Sequence, residues 1–152
     1  MMDSVPVQGK TYFCYDDGKV RVSRQYRCII KEVVPFEKVN KEIKSEWKKV
    51  VEEDPHLFSL ETDYIIIGEV SGDVERFQYF ARTTYGGWFS FAVPMQDDVG
   101  QSLDVDGNLT LKLIQSRKDY INKYCKQEKP QYIDAFSIEV SLLIKYYNNL
   151  YK

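Results

Sequence analysis

Asp97, Asp98, Asp104 and Asp106 fall within ten positions of one another, and no Lys or Arg occurs between Pro94 and Thr110. Carboxylates grouped in this way supply hard oxygen ligands to a cation, serve as paired acid and base, or attract a basic surface. An EF-hand calcium loop needs alternating acids with Glu six positions after its glycine. Here Gly107 follows Asp106 directly and Leu113 occupies that sixth position, so the spacing does not match. Asp106-Gly107-Asn108 reads instead as a turn into a helix N-terminus, where unpaired amides and the helix dipole stabilise acids. No metal ion and no cofactor is expected.

Within that segment, Leu103-Asp-Val-Asp-Gly-Asn-Leu-Thr110 resembles the nucleophile motif of haloacid-dehalogenase-type phosphatases. The resemblance implies Asp104 as the nucleophile and Asp106 as the general acid, beside Mg²⁺ at the end of a buried parallel strand. It covers eight residues and departs from the family pattern around them. Gly100-Gln101-Ser102 stands where a buried apolar run belongs, Asn108 replaces a threonine, and 42 residues follow Thr110, too few for the rest of that sheet.

Other catalytic chemistries have less to build on. His56 is the single histidine and follows the helix-ending Asp54-Pro55, a place that suits a capping or surface residue. There is no Gly-x-Ser-x-Gly, P-loop or dinucleotide fingerprint, and Gly86-Gly87 is satisfied by a hairpin turn. No catalytic residue is assigned. Tyr85 and Trp88 flank that turn and are candidate aromatic anchors for a partner, with a core role as the competing reading for Trp88.

A chain of 152 residues fits one domain, 1–152, with 1–9 as a loose terminus. Net charge of −2 and a pI near 5.5 argue against a general polyanion binder. Arg21, Arg27 and Lys31 beside Tyr26 are a modest basic strand face, but no nucleic-acid motif accompanies them, and nucleic acid is not an expected partner. From Glu52 to Glu75 there are eight acids and no Lys or Arg, whereas Lys112 to Lys129 is rich in bases. Cys14, Cys28 and Cys125 form no CxxC pair, Met1 to Lys10 has no apolar run, and nothing approaches the about 18 apolar residues of a membrane span. The expected location is cytoplasmic, with no membrane partner.

The elements that position these residues follow from period and punctuation. Thr11 to Val34 reads as a hairpin with its tip at Asp17-Gly18, which sets Cys14 opposite Arg21 and Cys28 opposite Val7. Val20, Val22, Tyr26, Cys28 and Ile30 share one strand face, and Arg24 falls on the wrong side, where a bulge is expected. Pro35 to Glu53 has the apolar period of a helix, with Trp47 turned to the sheet. Asp63 to Val70, Phe77 to Thr84 and Trp88 to Val93 read as a three-strand antiparallel meander, in which Ile65-Ile66-Ile67 marks a strand covered on both faces. Leu109, Leu111 and Leu113 alternate as in a strand, but Leu113/Ile114, Arg117, Tyr120/Ile121 and Tyr124 have helical spacing, which favours a helix from near Asn108. A last helix follows Pro130 and is apolar around much of its circumference, through Ala135, Ile138 and Leu142.

The expected fold class is therefore α+β: a mixed or antiparallel sheet, hairpin plus meander, packed by an amphipathic helix and C-terminal helices. The profile is similar in general character to bacterial inhibitor-type proteins, including toxin-immunity and phage anti-defence proteins. It implies a non-catalytic protein-protein interaction module that binds a basic protein through the acidic loop (Asp97, Asp98, Asp104, Asp106) with Tyr85 and Trp88 as anchors. A homodimer through the C-terminal helix belongs to the same reading. A small carboxylate-site or metal-dependent hydrolase is the first alternative, and a nucleic-acid-binding accessory protein the second.

Overall fold

The computed structural model describes residues 5–16, 25–58, 62–71, 76–91 and 100–150. Six antiparallel strands close on themselves as a barrel: β1 (Thr11–Asp16), β2 (Gln25–Pro35), β3 (Tyr64–Ser71), β4 (Arg76–Arg82), β5 (Trp88–Phe91) and β6 (Gln101–Asp104). Helix α1 (Lys41–Glu53) lies between β2 and β3 in sequence. The expected open sheet is thus overturned, because one further short strand, β6, pairs with β5 through Trp88↔Leu103 and with β1 through Cys14↔Leu103. Closure removes both edges that an open sheet would leave unpaired.

Cross-strand register sorts the barrel residues into two faces. Tyr12, Cys14, Cys28, Ile30, Ile66, Val70, Phe80, Trp88 and Leu103 share the inner face and are all buried. A barrel of so few strands is narrow, so side chains fill it and space is scarce. Gly68, opposite both Ile30 and Gln78, shows the constraint: a Cβ there would lie 2.4 Å from the Cys28 Sγ and 3.3 Å from the Phe80 ring.

Outside the barrel, α1 seals the face that the inner set leaves apolar. Trp47 and Val51 pack with Phe58, Ile65, Ala81 and Phe91, while Phe36 meets Trp47 edge-on at 4.8 Å. Ile65 and Ile66 are consequently buried on opposite faces of β3, one under α1 and one inside the barrel. Asn40 starts the helix by accepting a hydrogen bond from the Ile43 N–H at 2.9 Å, and Asp54 before Pro55 ends it. The helix is shorter than the sequence pattern suggests, since Phe36–Lys38 forms a separate 3-10 turn.

The N-terminal hairpin differs in register. Cys14 pairs with Tyr26 and Tyr12 with Cys28, five positions away from the register that a two-residue tip at Asp17-Gly18 imposes. The tip itself and Arg24 lie outside the described residues; the bulge that is seen falls at Lys31, where pairing steps from Ile30↔Gly68 to Glu32↔Ile67. It moves Val34 onto the outer face, opposite Ile65 and toward α1.

A second compact unit begins at Asp106. It holds α2 (Asn108–Tyr120), continued by a π-helical turn at Ile121–Cys125, and α3 (Ile133–Leu150), led in by Pro130. Arg117 on α2 binds Glu139 at 3.2 Å and lies 5.4 Å over the Phe136 ring, which ties the two helices together. Gly107 enters α2 with φ 82°, and a Cβ there would come 2.9 Å from the Tyr147 ring, so both backbone and packing call for glycine.

Gly68→Ala should destabilise the protein by about 1–3 kcal/mol, because the added methyl overpacks a filled barrel. Urea unfolding followed by tryptophan fluorescence would measure it, and an unchanged midpoint would show that the interior has slack.

Candidate functional site

The turn between β4 and β5 is held from several directions. The Thr83 N–H and hydroxyl both donate to the Gly87 carbonyl, at 2.7 and 3.1 Å, and the Gly86 N–H donates to the Thr83 carbonyl at 3.0 Å. Gly86 takes φ 98°, which a side chain would resist. Thr84 fastens the turn to the segment that follows α1: its N–H donates to the Leu57 carbonyl at 2.8 Å and its hydroxyl to the His56 carbonyl at 2.6 Å. Tyr85 sits at the tip of this braced turn, 82% exposed.

Behind the tip lies a stacked ion pair. Arg82 donates from Nε to Asp63 Oδ1 at 3.3 Å and from Nη2 to Oδ2 at 3.1 Å, a two-pronged contact, while Nη1 donates to the Gly86 carbonyl at 3.3 Å. The guanidinium lies 4.5 Å over the Trp88 ring. Trp88 is 2% exposed, so it supports Arg82 from within the barrel and presents no surface to a partner. Burial acts to raise the Asp63 pKa, but hydrogen bonds from Arg82 and from the backbone amides of Asp63 and Tyr64, with the guanidinium charge, outweigh it and hold the carboxyl below its ordinary value.

Beside the turn, the end of α1 carries Glu52, Glu53 and Asp54, all exposed, with no basic residue in the last helical turn. Acids at this end face the negative pole of the helix dipole, an arrangement that costs stability. The sequence shows the acidic run, but the importance of its position emerges only once Thr84 is seen bound to residues 56 and 57.

The other sequence candidates are placed differently. Asp104 is 1% exposed on the outer face of β6, opposite Phe13. Asp106 turns back on its own loop, accepting from the Asn108 N–H at 3.2 Å and side-chain amide at 2.9 Å. Asp97 and Asp98 lie outside the described residues. The four aspartates and two aromatics therefore do not form one visible constellation among the described residues, and Tyr85 is the member set fully in solvent.

The barrel interior also encloses the polar side chains of Gln78, Ser90 and Gln101. The Cys14 thiol donates to Gln101 Oε1 at 3.6 Å and the Gln101 N–H donates to the Ser90 hydroxyl at 2.7 Å. Gln78, 1% exposed, has no hydrogen-bond partner for either side-chain polar atom among the described residues. Burial pushes the Cys28 thiol up to about 12, which leaves it un-ionised and a poor nucleophile at neutral pH. Among the described residues no three His, Cys, Asp or Glu side chains converge as metal ligands, and no helix is long and apolar enough to cross a membrane. A cleft of about 170 Å³ between α1 and the β2–β3 pair is lined chiefly by Val34, Val39, Ile43, Ile65 and Ile67. That is below the roughly 300–1,000 Å³ of most small-molecule sites.

Compared with protein-family models, with curated proteins and with solved structures, the chain matches none of them.

Two measurements check this geometry. Because the Asp63 pKa is depressed in the folded state, the pair's contribution is complete above the unfolded carboxyl's value of about 4 and is lost as pH falls through the lower folded value. Asp63→Asn should therefore be less stable than the parent near neutrality, with the gap closing on acidification; a gap of constant size down to about pH 2 would deny the ionic contribution. Gln78→Met, which removes an unpaired amide at similar volume, should stabilise the fold by about 1–3 kcal/mol in thermal unfolding. A loss of stability would mean the amide has a partner in solution.

Proposed function

We propose that the protein is a non-catalytic binding module of the inhibitor or immunity type, which docks a basic protein partner at the Tyr85 end of the barrel. The observation that carries this reading is the exposed Tyr85 on a turn braced by Arg82, Thr83 and Thr84. Large aromatics that are already positioned bind with little ordering cost, and they dominate the energy of many interfaces. Glu52, Glu53 and Asp54 support the same reading, since their charges are placed against the helix dipole and beside the turn. Charge of this kind speeds encounter with a basic surface and discriminates against acidic ones.

Steering by Asp97, Asp98 and Asp106 is a second acidic contribution within the same proposal. Asp104 and Trp88, both buried, leave the contact surface to their neighbours. A cytoplasmic location fits three buried free thiols, which need no oxidising compartment.

Affinity capture from the native host with the full chain as bait should retain a basic protein whose binding weakens with added salt. Tyr85→Ala should lower its affinity by about 30-fold, the equivalent of about 2 kcal/mol. Glu52→Lys with Glu53→Lys should slow association while raising thermal stability by about 0.3–1 kcal/mol for each change, because both remove acids from the wrong end of α1. Full retention by the Tyr85→Ala and double-lysine proteins would reject this surface.

A further inference from the structure

We infer that α3 pairs with α3 of a second copy of this chain, in antiparallel orientation. Its inward face is settled: Val140 and Leu143 are buried, and Phe136 and Glu139 meet Arg117 of α2. The opposite side carries Ile138, 62% exposed, and Leu142, 57% exposed, in a row with exposed Ala135, Lys145 and Asn149. These positions alternate by three and four residues, the spacing at which one helix offers a continuous seam to another.

The seam is complementary to itself in one orientation. Turned about an axis at the level of Val140, Ile138 falls opposite the partner's Leu142, and Ala135 opposite the partner's Lys145. Asp134, exposed in the first turn of α3, then lies on the same flank and at the same height as the partner's Lys145. Symmetry repeats each contact, giving two apolar layers bounded by two ion pairs. The small side chain of Ala135 leaves room for the lysine stem. A parallel arrangement in register would instead set Lys145 against Lys145 and Asp134 against Asp134, and would align the helix dipoles unfavourably.

The seam is short, with two large apolar residues from each helix, so its area falls in the low range of specific interfaces, below about 1,200 Å². The dimer is therefore reversible and concentration-dependent. It uses residues of the helical unit alone and does not rest on the partner proposed for the Tyr85 turn.

Sedimentation equilibrium of the full chain over a wide concentration range tests the pairing. The parent should pass from monomer to dimer, and Leu142→Glu should raise the dissociation constant at least about tenfold with helix content unchanged by circular dichroism. Because that change could disturb folding, charge reversal supplies a second readout. Asp134→Lys and Lys145→Glu should each weaken the dimer by about threefold, and the double variant should recover the parental constant. A chain that stays monomeric throughout, or a dimer indifferent to Leu142→Glu, overturns the interface; failure of the double variant to recover overturns the antiparallel register.

Discussion

The pairing of β6 with both β1 and β5 is the contact on which the rest of the barrel depends. Without Gln101–Asp104 the five remaining strands would form an open sheet with two bare edges. With it, Leu103 joins Cys14 and Trp88 in one inner layer, and Trp88 is fixed where Arg82 can stack on it. The posture of the Tyr85 turn follows, since Arg82 binds both Asp63 and the Gly86 carbonyl. A four-residue strand thus sets the geometry of a surface to which it contributes no exposed side chain of its own.

Local sequence pattern accounts for much of this fold, though unevenly. The three-strand meander and the stop of α1 at Asp54-Pro55 follow from residue spacing and are seen, and of the two patterns carried by Leu109–Ile114 the helical one is realised. Barrel closure is not legible in this way, because Gln101-Ser-Leu-Asp104 has one large apolar residue and sits among turn formers. Its pairing partners are remote in sequence, and no local rule registers them. The hairpin register departs from expectation for a related reason: Asp17-Gly18 is a strong tight-turn signal, yet the strands rejoin at Tyr15↔Gln25. Of the candidate site, Tyr85 is readable as a turn aromatic, whereas the burial of Trp88 depends on closure. Arg82 and Asp63 escape a local reading because they come together only when β3 and β4 pair Ile65 with Ala81.

Stability and specialisation pull in opposite directions at two places. Three acids end α1 with no basic residue in its last turn, and a glutamine amide inside the barrel has no partner among the described residues. Each departs from what folding alone would favour, and such departures in an otherwise consistent fold tend to mark residues retained for another purpose. The first supplies the charge that the proposed docking of a basic partner uses. The second faces the barrel interior, which also encloses Ser90 and Gln101.

Closure also dictates an order of events during synthesis. The Cys14 thiol reaches a carbonyl oxygen on Gln101, 87 residues later in the chain. The first strand therefore cannot complete both of its pairings until nearly the whole barrel segment has left the ribosome. Contacts of such sequence separation make folding slow relative to helical proteins, on the order of milliseconds to seconds. Until β6 exists, β1 and β5 each lack the partner it supplies, and unpaired strand edges of that kind are prone to aggregation.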